Sequence, residues 1–366
     1  MIGEFPRPGE EPVGGPQVAV ARLVPTLVER GVDVVVVAPD ATSAGEAEAE
    51  LDGGGILITV AVARRATLAR GFQPWRRRAA AAVHRVGADV VHGQGLLPGG
   101  IAAVDIRGCP RVVTAQGNAR ADTAAAYGGV GGIVRAYLRH RLACAAAKRA
   151  DVVVGVNPDW TVNVPLHPRR FVYIPNMIED DFFDAMRDPE PGIVLFAGGA
   201  RAIKGWALLA EAWPHVRAAV PNSRLNVIGW AHGQPLPVGL MEHRASLVVE
   251  GWISSRELAA RMERAAALVI PSHFEVSPIV LAEAWAIGLP VVAVPVGGVP
   301  ALATGAALLV DREPQALAEG IVAALAGGEQ IDRLVREGRR RAEAHRAEAV
   351  SAAHISLYEE LLNSAA

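Results

Sequence analysis

The sequence predicts an α/β protein made of two doubly wound parallel sheets in tandem, and three observations predict it. β-Branched runs alternate with Ala-, Leu- and Arg-rich amphipathic stretches, the pattern of parallel strands joined by crossover helices. The alternation occurs twice, interrupted by a polar, proline-containing link over 176–192. A chain of 366 residues, 51% of them hydrophobic, is long for a single core and ample for two.

Taken in order, strands are expected at 33–38, 56–62, 89–92, 111–115, 151–154 and 171–174. After the link they resume at 193–197, 224–228, 247–250, 267–270, 290–294 and 307–310. A central first strand should precede the loop 6–16, yet only Met1 and Ile2 stand before Gly3. Central parallel strands run five or six residues, so the expectation is a start lying upstream, or failing that a first strand reduced to a fragment. Gly14-Gly15 then opens a helix over 17–30 with Val20, Leu23, Val24, Leu27 and Val28 on its buried side. These boundaries predict an N-terminal domain over 1–176 and a C-terminal domain over 177–349. A last helix over 350–366, apolar at Ile355, Leu357, Tyr358, Leu361 and Leu362, is expected to return to the first domain.

Composition excludes several classes. Cys109 and Cys144 provide neither a disulfide framework nor a metal quartet, and read as reduced thiols of a cytoplasmic protein. No apolar run approaches the length of a membrane span. The formal net charge is −2, but residues 1–176 carry 20 basic and 15 acidic side chains against 16 and 23 in the remainder. The stretch from Arg64 to Arg85 holds seven arginines with Phe72 and Trp75 among them. It is a solvated face of an arginine-biased protein or, on the sharper reading, a peripheral contact with anionic lipid at the inner face of a membrane. Nucleic acid is excluded by the near-zero charge and the lack of any recognition signature.

Candidate chemistry gathers at strand ends, where doubly wound sheets bind ligands. In 271–288, Ser277 is expected to cap a helix with Pro278 at its first position and Gly288 at its far end. Glu275 stands just before that helix N-terminus, whose free amides suit an anion, together with Val276, Ser277, Pro278 and Ile279. Glu283 lies mid-helix among Leu281, Ala284 and Trp285, where a carboxylate must meet a polar partner. Phe196 to Gly205 reads as strand, glycine turn and two cations, Arg201 and Lys204; only one other lysine, Lys148, occurs in the chain. Glycines permit close backbone approach while the cations neutralise a diphosphate. His92, Gln116 and Asn118 end two strands of the first half and are read as acceptor-side candidates, with structural roles equally open.

Together, Glu275-x7-Glu283, Gly297-Gly298-Val299-Pro300, Gly14-Gly15, Val91-His92, Ile174-Pro175-Asn176, Lys204-Gly205 and Ile228-Gly229 resemble the retaining glycosyltransferases of family 4, of GT-B fold. The resemblance implies two Rossmann-like domains flanking a cleft and transfer of a hexosyl unit from a nucleoside-diphosphate sugar to a hydroxyl acceptor. It implies that Glu283 binds the ribose and that Glu275, with the 276–279 amides, holds the sugar and its phosphate. Lys204 and Arg201 would stabilise the leaving diphosphate, Gly14 and Gly15 would approach it, and Gly229, Trp252 and Ile253 would lie by the base. The acceptor would be acidic or lipid-linked. No Asp-x-Asp triplet or zinc spacing occurs, which agrees with a metal-independent enzyme lacking a cofactor. Three positions depart from the family pattern: its arginine is expected where Gly199 stands, a histidine where Gln116 stands, and a glutamate where Ala301 stands. A non-hydrolysing sugar-nucleotide epimerase and a catalytically impaired, nucleotide-binding subunit remain open as alternatives.

Overall fold

The computed structural model describes the chain except residues 8, 11, 13, 42–44, 63–67, 69–70, 118–128, 164–167, 231–233, 237 and 366. It divides into two compact units, Met1–Met177 with Ala347–Ala366, and Ile178–Arg346.

In the first unit, β1 (Val35–Asp40), β2 (Glu46–Glu50) and β3 (Ile56–Ala61) form one sheet in the order β1-β3-β2. β4 (Val91–Gln94), β5 (Arg111–Ala115), β6 (Val152–Gly155) and β7 (Phe171–Tyr173) form another in chain order. Ile2 joins them, bridging Val37 on one side and Gly93 on the other, both in parallel sense. Its N–H donates to His92 at 2.8 Å and its carbonyl accepts from Gln94 at 2.7 Å, while Val37 donates to the Met1 carbonyl at 2.8 Å. Three residues thus supply the central strand that the sequence pattern requires. Phe171 and the neighbouring strands read from sequence recur within two residues of their expected bounds.

The strand β2 is a departure. Its sequence, Glu-Ala-Glu-Ala-Glu, consists of helix formers, yet it pairs antiparallel with β3 across the Leu51–Gly55 turn. It is an edge strand, where glutamates facing solvent discourage further pairing. The helix Gly15–Glu29 buries Val20, Leu23, Val24 and Leu27 as its period predicts. The final helix, Ala347–Ala365, packs into this unit, and Val350 and Leu357 join the core of Val24, Leu27, Val36 and Val152.

The second unit is one six-stranded parallel sheet. Its strands are β8 (Ile193–Ala197), β9 (Arg224–Ile228), β10 (Leu247–Val249), β11 (Ala267–Ile270), β12 (Val291–Ala293) and β13 (Leu308–Leu309). The order β10-β9-β8-β11-β12-β13 is that of a dinucleotide-binding sheet, reversing direction between β8 and β11. Every strand is short, and β8, β11 and β12 in the middle of the sheet are nearly all buried, as expected where helices cover both faces. Among the described residues, no helix is long and apolar enough to cross a membrane.

Candidate functional site

The carboxyl ends of β8 and β11 lie side by side at the reversal point of the second sheet, and the loops that leave them carry Lys204 and Glu275. Lys204 Nζ donates to Glu275 Oε1 at 2.7 Å, and Ser272 Oγ donates to the same oxygen at 2.7 Å. The lysine side chain stays 27% exposed while the glutamate is 9% exposed, so the cation is the solvent-facing partner. A carboxylate this enclosed is tolerable only because two donors meet it. Ser272 was not singled out by sequence; its position three residues ahead of the glutamate was the available signal.

Close backbone packing holds the two loops together. Gly205 has φ +75°, and a Cβ there would lie 1.8 Å from the Pro271 carbonyl oxygen. The His273 N–H donates to the Ile203 carbonyl at 2.8 Å. On the other side of Glu275, the Gly298 N–H donates to its carbonyl at 2.8 Å, and a Cβ on Gly297 would come within 2.2 Å of that oxygen. These glycines are required by the packing of one loop on the next.

The turn after β8 explains the displaced arginine. Gly199 adopts φ +63°, and a Cβ there would stand 2.8 Å from the Gly229 carbonyl oxygen, so no arginine fits that position. Arg201 instead precedes the short turn Ala202–Lys204, is exposed, and pairs with no carboxylate among the described residues. Trp206 ties the turn down by donating to the Ala200 carbonyl at 3.1 Å and packing edge-on against Trp230. Gly229 lies against Gly199, and Trp252, 69% exposed, is the next aromatic beside both. Ile253 is half-buried beside it.

The helix Ile279–Ile287 follows Glu275 as the sequence requires, with one correction. Pro278 occupies the N-cap, Ser277 precedes it, and no side chain caps the helix. Pro278 offers no side-chain acceptor to the Ile279 and Val280 amides of the first turn, while Leu281 donates back to the Pro278 carbonyl at 3.0 Å. Val276 and Pro278 are buried, Ser277 and Ile279 half-buried. Gly288 closes the helix at φ +77°. Glu283 is buried within it and is not left unpaired.

In the first unit the strand-end residues behave differently. His92 is buried, with Nδ1 2.6 Å from Tyr358 Oη and Nε2 2.6 Å from Thr114 Oγ1. His354 lies beside it, ring centroids 5.7 Å apart, with Nδ1 donating to the Val350 carbonyl at 2.9 Å. Burial, then the neighbouring His354 ring, pushes the His92 pKa well below its usual value; burial likewise lowers His354 and raises Tyr358. Both nitrogens of His92 are engaged by the fold, and through them this side chain ties β4 to β5 and to the final helix. Sequence reading missed Thr114 and His354 and gave Tyr358 only as an apolar residue of the C-terminal helix, because the partner of a side chain 266 residues away leaves no local pattern. Gln116 Nε2 donates to Gln94 Oε1 at 3.2 Å, while its own buried Oε1 has no partner among the described residues. Asn118 lies outside the described residues. Gly14, at φ +81°, and Gly15 open their helix with no neighbouring atoms near the Gly14 Cβ position.

The basic stretch Arg64–Arg85 is also rearranged by the fold. Arg64, Arg65 and Arg70 lie outside the described residues. Phe72 and Trp75 are buried, Trp75 donating to the Pro98 carbonyl at 3.2 Å. Arg76 pairs with Asp105 at 2.5 Å, Arg85 with Glu46, and Arg78 donates to the Ala61 carbonyl. The aromatic side chains that a lipid contact needs point into the core.

Residues 13–182 match the family described as Glycosyltransferase Family 4, and residues 191–327 that described as Glycosyl transferases group 1. The D-inositol 3-phosphate glycosyltransferase of Segniliparus rotundus is 36% identical over 161 residues, 41% of this chain and 36% of that protein. The enzyme of the same name from Jonesia denitrificans is 32% identical over 42% of this chain and 39% of its own length. The matches therefore span under two fifths of these curated relatives. Sucrose-phosphate synthase from Thermosynechococcus elongatus superposes with a TM-score of 0.76 at 20% identity, covering 99% of each chain. The Anabaena protein HepE, solved with UDP and glucose, gives 0.70 at 14% identity over 99% of this chain and 100% of that one. These likenesses establish the GT-B fold, two Rossmann-like domains.

Proposed function

We propose, from the premise that this chain belongs to the group 1 and family 4 glycosyltransferases, that it moves a hexosyl unit from a nucleoside-diphosphate sugar to a hydroxyl acceptor with anomeric retention. The observation that carries the reading is the Lys204–Glu275 pair at the reversal point of the second sheet, with Ser272 fixing the carboxylate.

Each charge has a task in that reaction. Lys204, partly exposed, and Arg201, paired with no carboxylate among the described residues, neutralise the diphosphate as the glycosidic bond breaks. The Ile279 and Val280 amides add dipolar donors to the same anion. Glu275 accepts from sugar hydroxyls, Glu283 from the ribose, and exposed Trp252 provides a face for the base. In a front-face step the acceptor oxygen bonds to the anomeric carbon while the departing phosphate oxygen takes the acceptor proton. Retention then needs no protein nucleophile. Two cations and a helix terminus perform what a divalent ion does in other transferases, so the reaction is proposed to run without metal or cofactor.

UDP-glucose is the first donor to test, since HepE was solved with UDP and glucose, and inositol phosphate is the first acceptor, from the names of the curated relatives. A thermal-shift series with UDP, GDP, ADP and dTDP sugars identifies the base, because a ligand bound by the native state alone raises the melting temperature. With the matching donor, folded Glu275→Gln and Lys204→Ala are each expected to lose transfer by about 10²-fold or more. Undiminished rates in both would refute the site.

A further inference from the structure

We infer that the outer face of the helix Gly129–Arg149 is a docking surface for an anionic lipid bilayer. Four large apolar side chains are exposed within two turns: Ile133 at 70%, Val134 at 52%, Tyr137 at 58% and Leu138 at 36%. Their spacing, 133 with 137 and 134 with 138, places them on one side, with Arg141 continuing the row. Ala143, Ala146 and Ala147 on the other side are fully buried in the core, so the apolar side is fixed outward. Water-facing helices do not ordinarily cluster such residues.

Charge identifies the occupant. The 21 residues contain no Asp or Glu, and Arg135, Arg139, Arg141, Lys148 and Arg149 are all basic. Arg149 is already paired with Asp105, but the Arg141 guanidinium stands 5.9 Å from the Tyr137 ring, on the apolar side. A second copy of this chain would bring like charges together. An anionic head-group layer meets the cations while its acyl boundary takes Ile133, Val134, Leu138 and the Tyr137 ring. The absence of a spanning helix among the described residues makes the contact peripheral. The helix Gln73–Val86, with four arginines of its own, buries its aromatic residue and offers no comparable anchor. The inference is independent of the transferase reading.

Flotation of the full chain with vesicles tests it. The protein is expected to float with phosphatidylcholine containing about one-third phosphatidylglycerol, and to stay behind with phosphatidylcholine alone or at high salt. The double change Ile133→Ser with Tyr137→Ser is expected to lower vesicle binding about tenfold at an unchanged melting temperature. Arg141→Glu, a second exposed change, is expected to weaken it as well. Failure of the parent protein to float, or equal flotation of all variants, overturns the inference. So does a parent that fails to float but sediments as a dimer that the double change dissociates, which assigns the face to a second copy.

Discussion

The two strand-end clusters of this molecule begin from similar sequence and end differently. Leaving β8 and β11, Lys204 and Glu275 meet each other with the lysine still open to solvent. Leaving β4 and β5, His92 and Thr114 meet Tyr358 and His354 of the final helix and are sealed. A polar side chain at the end of a parallel strand is therefore presented or consumed according to whether a distant element covers it. The paired charges that remain open are suited to exchange partners for a ligand. The neutral cluster that is closed binds the C-terminal helix to its sheet.

The comparison can be broken at its hinges. The largest effect is expected from Gly205→Ala, since the added Cβ would collide with the Pro271 carbonyl in a left-handed backbone. We expect a loss of about 3–5 kcal/mol in denaturant unfolding, together with loss of donor binding. Next, Ser272→Ala removes one of the two donors to the buried Glu275 carboxylate. It should cost about 1–3 kcal/mol in the same assay and weaken donor binding in calorimetry, because Lys204 is then the main compensation for the charge.

Tyr358→Phe tests the closed cluster. It deprives the buried His92 Nδ1 of its partner and should cost about 1–2 kcal/mol while leaving donor affinity unchanged. Weaker donor binding in that variant would erase the distinction between the clusters.

Acid sharpens the same contrast. His92 and His354 have folded pKa values held below the usual 6.5 by burial, so the unfolded chain binds more protons as pH falls below that value. Stability is then complete above about pH 6.5 and declines below it, by up to about 1.4 kcal/mol per pH unit for each histidine. A melting temperature constant between about pH 7.5 and 5.5 would contradict their burial as neutral rings. The smallest effect is expected at the rim: Arg261→Ala opens the paired Glu250 carboxylate, 2.8 Å away at each contact, and should cost about 1 kcal/mol or less.

Most of the fold was legible because parallel strands announce themselves within a window of five residues. β5, β8, β9 and β11 fall at the bounds that their β-branched runs indicate. Gly288 was legible as a helix terminator for the same local reason, whereas Gly205 and Gly297 entered only as members of motifs and their close backbone contacts came from the fold. β2 was not, since glutamate and alanine favour a helix until β3 offers a pairing edge. In the candidate site, the lysine and the glutamates carried a motif, whereas Ser272 and Trp206 matter only through what they touch.

The sequence by itself determined two doubly wound sheets, a lysine loop and a glutamate loop, and the helix that follows Glu275. These depend on periodicity, turn chemistry and charge within short windows. Only the tertiary structure decided that Ile2 serves as the central strand, that Gly199 excludes an arginine, and that Tyr358 claims His92 from 266 residues away. It also decided which basic helix turns its apolar residues outward. Those outcomes depend on contacts between segments far apart in the chain, and no local pattern records which partner a side chain will meet.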